Sequence, residues 1–199
     1  MNLDAPPPLP GGPRRTPAAG FVDVLGKLSV LLAVLGVLYA LVQLVVVLLI
    51  PASFLDGSWD GNNEHLPALP DLLRWLLHNL LPLAWVTLLS AVAFLVVAYG
   101  MLKRSNAARL GFIAFMVLGT LMNFASIAVL MAALDWVNAI GANIDEAGVF
   151  QQIRASNMVS MTMGVISALA IAGLHGWIIW KLCTADVRAE FTHYAGSRG

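Results

Sequence analysis

Residues 28–50 read LSVLLAVLGVLYALVQLVVVLLI, 23 consecutive positions without one Asp, Glu, Lys or Arg. An α-helix rises about 1.5 Å per residue, so a run of this length crosses a hydrocarbon core of roughly 30 Å. Three more stretches repeat the pattern, Pro82–Leu102, Leu110–Leu134 and Asn157–Trp180, and these too lack charged residues. Strands of a β-barrel would be about ten residues long with alternating polarity, so uninterrupted apolar runs predict helices whose backbone groups pair internally. The whole chain agrees. Of its 199 residues 59% are hydrophobic and 11% charged, with mean hydropathy +0.82 and no net charge, whereas a soluble domain carries roughly 25% charged residues. The expected fold is therefore all-α, a polytopic integral membrane protein with a four-transmembrane-helix bundle and short interfacial helices in its outer loops.

Charge sets the expected orientation. Lys27, Lys103, Arg104, Arg109 and Lys181 flank one set of span ends, and Arg14, Arg15, Arg188 and Arg198 extend the same tails, while Arg74 and Arg154 alone stand opposite. The positive-inside rule places both termini and the 103–109 loop in the cytoplasm. Trp75, Trp85 and Trp136 mark the outer interface, and Trp177 and Trp180 the inner one. The first apolar run exceeds the 7 to 15 residues of a cleavable signal core, so it is expected to stay as a signal-anchor helix. Residues 1–20 hold six of ten prolines and read as an extended cytoplasmic tail. Residues 21–182 form the expected membrane domain and 183–199 a second tail.

Between the spans, Asp71–Leu81 is too short to cross and reads as a helix lying in the outer interface, with Pro82 in the first turn of the second span. A further short helix is expected within Asp135–Ser156. In the second tail, Thr184 and Asp186 announce a helix over Ala185–Tyr194, with Val187 and Phe191 paired at i and i+4. The loop Arg104-Ser-Asn-Ala-Ala-Arg109 and the tail W-x-x-W-x-L-x-T-x-D-V-R-x-E-F from Trp177 to Phe191 resemble small bacterial inner-membrane proteins with four helices. The likeness spans about residues 80–191. It implies a cytoplasmic membrane location in a bacterium and carries over no catalytic residue.

Helices in lipid associate through close packing and hydrogen bonds, so small residues at i and i+4 mark packing faces. Ser160, Gly164, Ala168, Ala172 and Gly176 form such a stripe on the fourth span, and Gly36 with Ala40 a shorter one on the first. The stripe predicts a central fourth helix packed within its own chain.

Polar groups inside the spans are few. Gln43, Thr87, Ser90, Thr120, Asn123 and His175 are the candidates for a polar cavity, with Asn123 near mid-membrane. Asn123 and His175 read first as partners in interhelical hydrogen bonds, which for Asn123 would fix helix register. Lys103, Arg104 and Arg109 suit headgroup binding or topology determination. Asp56 to Glu64 imitates a calcium loop but places Pro67 where the bidentate Glu belongs. His78 and His175 lie at opposite membrane depths, which rules out a shared haem. Cys183 is the one cysteine, so paired-thiol exchange is excluded. No catalytic, metal or cofactor-binding motif is present, and no cofactor or nucleic-acid partner is expected. These readings favour a non-enzymatic interaction, assembly or regulatory component of a membrane complex, whose partners are the lipid bilayer and a membrane protein or a second copy. The alternative is a small pore or carrier for a neutral or lipophilic solute.

Overall fold

The computed structural model describes residues 16–50, 69–142 and 147–192. They form six helices: α1 (Pro17–Leu49), α2 (Asp71–His78), α3 (Leu80–Leu102), α4 (Asn106–Ala142), α5 (Ala147–Cys183) and α6 (Ala185–Thr192). Four of them, α1, α3, α4 and α5, are long and apolar enough to cross a membrane. The proline-rich stretch 1–15, the calcium-loop imitation, the tip 143–146 and residues 193–199 lie outside the described residues.

Helix ends depart from the apolar boundaries for local reasons. α1 starts at Pro17, inside the stretch read as tail. Thr16 is its N-cap, accepting a hydrogen bond from the Ala19 N–H at 3.0 Å, and Pro17 at the first helical position lacks only an N–H that would have no helical partner. The expected short helix in the second outer segment is absent among the described residues. α4 instead continues through Asp135 to Ala142 and α5 begins at Ala147. Asp135, Asn138 and Asn157 end the apolar runs but not the backbone ladder, and Asn157 Nδ2 donates to Asn138 Oδ1 across the pair at 3.0 Å. The short helix expected over Asp71–Leu81 forms as α2, ends at His78, and lies against α4.

The long helices meet in chain order, α1 on α3, α3 on α4 and α4 on α5. The closest pairing is α1 with α3. The buried positions of α1 are Ala19, Val22, Gly26, Ser29, Ala33, Ala40, Leu44 and Val47, mostly alternating by three and four. Ala19, Gly26, Ala33 and Ala40 recur every seven residues, and Ala84, Ala91 and Ala98 do the same on α3, with Ala84 and Ala98 fully buried and Ala91 half-buried. The pair is antiparallel. Gly26 faces Leu102 near one end, where a Cβ would come within 2.7 Å of Leu102 Cδ2, and Leu44 and Val47 pack on Ala84 near the other. Removing side-chain bulk lets two helix backbones approach, and dispersion contacts then accumulate along the seam.

The fourth long helix is not central, contrary to the expectation drawn from its stripe. α5 packs principally on α4. Ala168 is buried and a Cβ on Gly164 would meet Leu130 Cδ2 at 3.2 Å, but Ser160 and Gly176 are exposed and nothing lies within 4 Å of a Cβ at Gly176. The shorter stripe splits likewise, Ala40 buried and Gly36 open.

The core sits at one end, here called proximal, where Thr16, the α3–α4 turn and α6 meet. Val22, Met101, Ala108, Phe112, Leu182, Val187 and Phe191 form one cluster there with a contribution from every helix but α2. Phe94 adds ring contacts with Phe112 and Phe115 at 5.7 and 5.4 Å, and Phe21 meets Trp177 edge-on at 5.9 Å. Ala33→Leu and Ala168→Leu should each destabilise the protein by about 1 to 3 kcal/mol through overpacking, lowering the thermal midpoint in detergent. Gly176→Leu, placed in open space, should leave that midpoint unchanged.

Candidate functional site

The most densely connected polar site lies over the proximal core. α3 ends in a Schellman motif: the Arg104 N–H donates to Met101 O at 3.0 Å and the Ser105 N–H to Gly100 O at 3.1 Å. The motif needs a left-handed residue, usually glycine, and Arg104 adopts φ 54°. A non-glycine residue there costs about 1 to 2 kcal/mol. The side chain accounts for its presence. Arg104 Nη2 donates to Asp23 Oδ1 of α1 at 3.0 Å, and Nη1 donates to Glu190 Oε2 of α6. Glu190 Oε1 accepts from the Thr16 hydroxyl at 2.6 Å. One planar guanidinium thus ties the start of α1, the α3–α4 turn and the tail helix together, and a lysine, with its single point charge, does not match that fork geometry.

Arg109 works beneath it. Its side chain is buried, its Nη1 donates to Leu182 O at 3.1 Å, its Nε donates to Asn106 Oδ1 at 3.1 Å, and the guanidinium lies 6.0 Å from the Phe191 ring centre. The acceptor is one of the last carbonyls of α5, groups that have no helical donor of their own. Arg104 and Arg109 are therefore turned inward, and Lys103, over the Tyr99 ring at 4.6 Å, is the member of the trio at the surface. Val187 and Phe191 of α6 are buried as their spacing predicts, with 0% and 1% of their surface exposed.

A second polar group lies between α4 and α5. The Thr120 hydroxyl and His175 Nδ1 are 2.8 Å apart, and Asn123 Nδ2 donates to Ala168 O at 3.4 Å. The imidazole packs beside Gly119, its Cε1 3.6 Å from where a Cβ would stand, an ordinary contact distance. The other three cavity candidates are elsewhere. Thr87 donates to Leu83 O within α3, Ser90 is exposed on the same helix, and Gln43 is half-buried on α1. The six residues are divided between two helix pairs, and Thr120, Asn123 and His175 make the group that the fold brings together.

Sequence reasoning missed Asp23, Glu190 and Thr16. Asp23 and Glu190 stand 81 and 86 residues from Arg104, too far apart for any local spacing rule. A readable trace was the presence of arginine at a helix C-terminus where glycine is usual. Among the described residues no three His, Cys, Asp or Glu side chains gather as a metal site. No known protein family, curated protein or solved structure matches the chain.

Arg104→Ala should cost about 1 to 3 kcal/mol, less than a fully buried pair because Asp23 is one-third exposed. Arg104→Gly should recover about 1 kcal/mol of that by relieving the left-handed backbone. Thermal unfolding measures the order wild type, Gly, Ala, and limited proteolysis of α6 should quicken in both variants.

Proposed function

We propose that the chain is an integral protein of the cytoplasmic membrane, with both termini inside, that acts without catalysis as an interaction, assembly or regulatory component of a membrane complex. The observation that carries the reading is the uneven burial of its apolar helices. In the most apolar stretches of α1, α3, α4 and α5, 22%, 6%, 0% and 6% of residues are buried. Leu118, Leu121 and Phe124 on α4 and Ile166, Leu169 and Leu174 on α5 are exposed. Surface of this kind is stable against lipid tails or against the helices of another protein. Trp75 and Trp85 toward one end and Trp177 and Trp180 toward the other are exposed, as suits rings that settle at headgroup level.

The polar groups support the same reading. Arg104 and Arg109 fasten the chain's own elements, and Thr120, Asn123 and His175 bond across the α4–α5 pair, which fixes register at about 0.6 kcal/mol per contact. A pore or carrier for a neutral or lipophilic solute is the second reading. It is favoured by the Thr120–His175 and Asn123 group alone, which would have to exchange its internal bonds for a solute.

Photo-crosslinkers placed singly at Leu121, Leu169 and Leu32 and activated in native membranes test the proposal. The α4 and α5 positions should yield one recurrent membrane-protein adduct that the α1 position does not. Lipid adducts alone at all three, together with solute flux into liposomes that Asn123→Leu abolishes without altering the thermal midpoint, would favour the second reading.

A further inference from the structure

The distal half of the α4–α5 pair opens into a cleft of about 170 Å³ to which three methionines contribute, Met131 from α4 and Met158 and Met161 from α5. Met158 and Met161 are three apart and so share one helix face. Asn138 and Asn157, joined by their 3.0 Å hydrogen bond, form another part of the wall. Met131, Met158 and Met161 are 44%, 71% and 38% exposed, so none of the three is locked into the packed core.

We propose that this cleft binds a soft monovalent cation, Cu(I) or its redox-inert analogue Ag(I), through the three thioethers. Thioether sulfur is a soft, neutral donor that selects Cu(I), whereas Mg²⁺ and Ca²⁺ demand several oxygen ligands. Zn²⁺ takes Cys, His and carboxylate ligands, and no such trio exists among the described residues. Asp135 and Arg154 complete the lining with one charge of each sign. The wall is therefore neutral in formal charge, which suits a single positive charge better than two. Methionine offers no greater apolar burial than leucine in these helices. What distinguishes it is the polarizable sulfur, and here three methionines from two helices line one cleft. The inference is independent of any partner for the α4 and α5 flanks.

The test uses the full chain purified in detergent without oxygen, carrying Cys183→Ser to remove the exposed thiol. Cu(I) is titrated in competition with a chromophoric Cu(I) chelator, and Ag(I) is titrated calorimetrically. One ion per chain is expected. Met131→Leu and Met161→Leu should each weaken binding by about tenfold or more through loss of a soft ligand, while Met122→Leu, on α4 outside the cleft, should not. These swaps conserve volume and are well tolerated in packed sites. X-ray absorption on the loaded wild-type site should show a sulfur shell around copper. Failure of the ion to survive the chelator, undiminished binding when all three methionines are leucine, or a shell of nitrogen and oxygen alone would each overturn the proposal.

Discussion

The fork of Arg104 is the interaction on which the proximal end depends. Helices that expose most of their apolar surface gain little from one another, because lipid competes with a neighbouring helix for the same dispersion contacts. What holds distant segments in one arrangement must then be polar and directional. Arg104 meets both conditions, reaching Asp23 on α1 and Glu190 on α6 from a turn whose backbone would be easier for glycine. The strained φ and the paired side chain occur in one residue: from the left-handed position the guanidinium reaches Asp23 and Glu190, the chain neighbours of the core residues Val22 and Phe191. Tail helix α6 is held from above by Glu190 and from below by Val187 and Phe191, so it behaves as part of the fold rather than as an appendage.

That arrangement gives the molecule two unlike ends. At the proximal end, side chains from five helices share one cluster; at the other, the buried cluster of Leu44, Val47 and Ala84 belongs to α1 and α3. The α4–α5 pair, with its bonded Thr120, Asn123 and His175, is joined to the rest through the proximal core, the contacts of Phe94 and α2, which lies against α4. A component that must present long apolar flanks while keeping one face fixed is served by this division. Its fixed face carries Lys103, Arg104, Arg109 and Lys181, basic residues at one set of span ends.

How far the sequence discloses the fold varies with the physics involved. The four long helices are legible because uncharged apolar runs of this length have few stable alternatives. Their ends are not, since Asp135 and Asn157 close an apolar run without interrupting helical hydrogen bonding, and Thr16 with Pro17 opens a helix inside a proline-rich stretch. The packing seam was harder still. Small residues recur on both α1 and α5, and what decides between them is which series meets its counterpart: α3 meets α1 with Ala84, Ala91 and Ala98 at the same seven-residue interval, while the equally regular Gly119, Ser126 and Ala133 of α4 leave Ser126 exposed. Of the polar site, Thr120, Asn123, His175 and Arg109 announce themselves by being polar in apolar surroundings. Asp23 and Glu190 do not, for their meaning arises only when the chain has folded.

The seven-residue interval of the α1–α3 seam has a consequence for shape. An ideal α-helix drifts by about 20° per heptad against such a repeat, so two rods that keep small residues in register must wind around each other with a left-handed sense. In this pair the winding would run from Ala19 to Ala40 on α1 and from Ala98 to Ala84 on α3, the rows of small side chains staying between the two backbones.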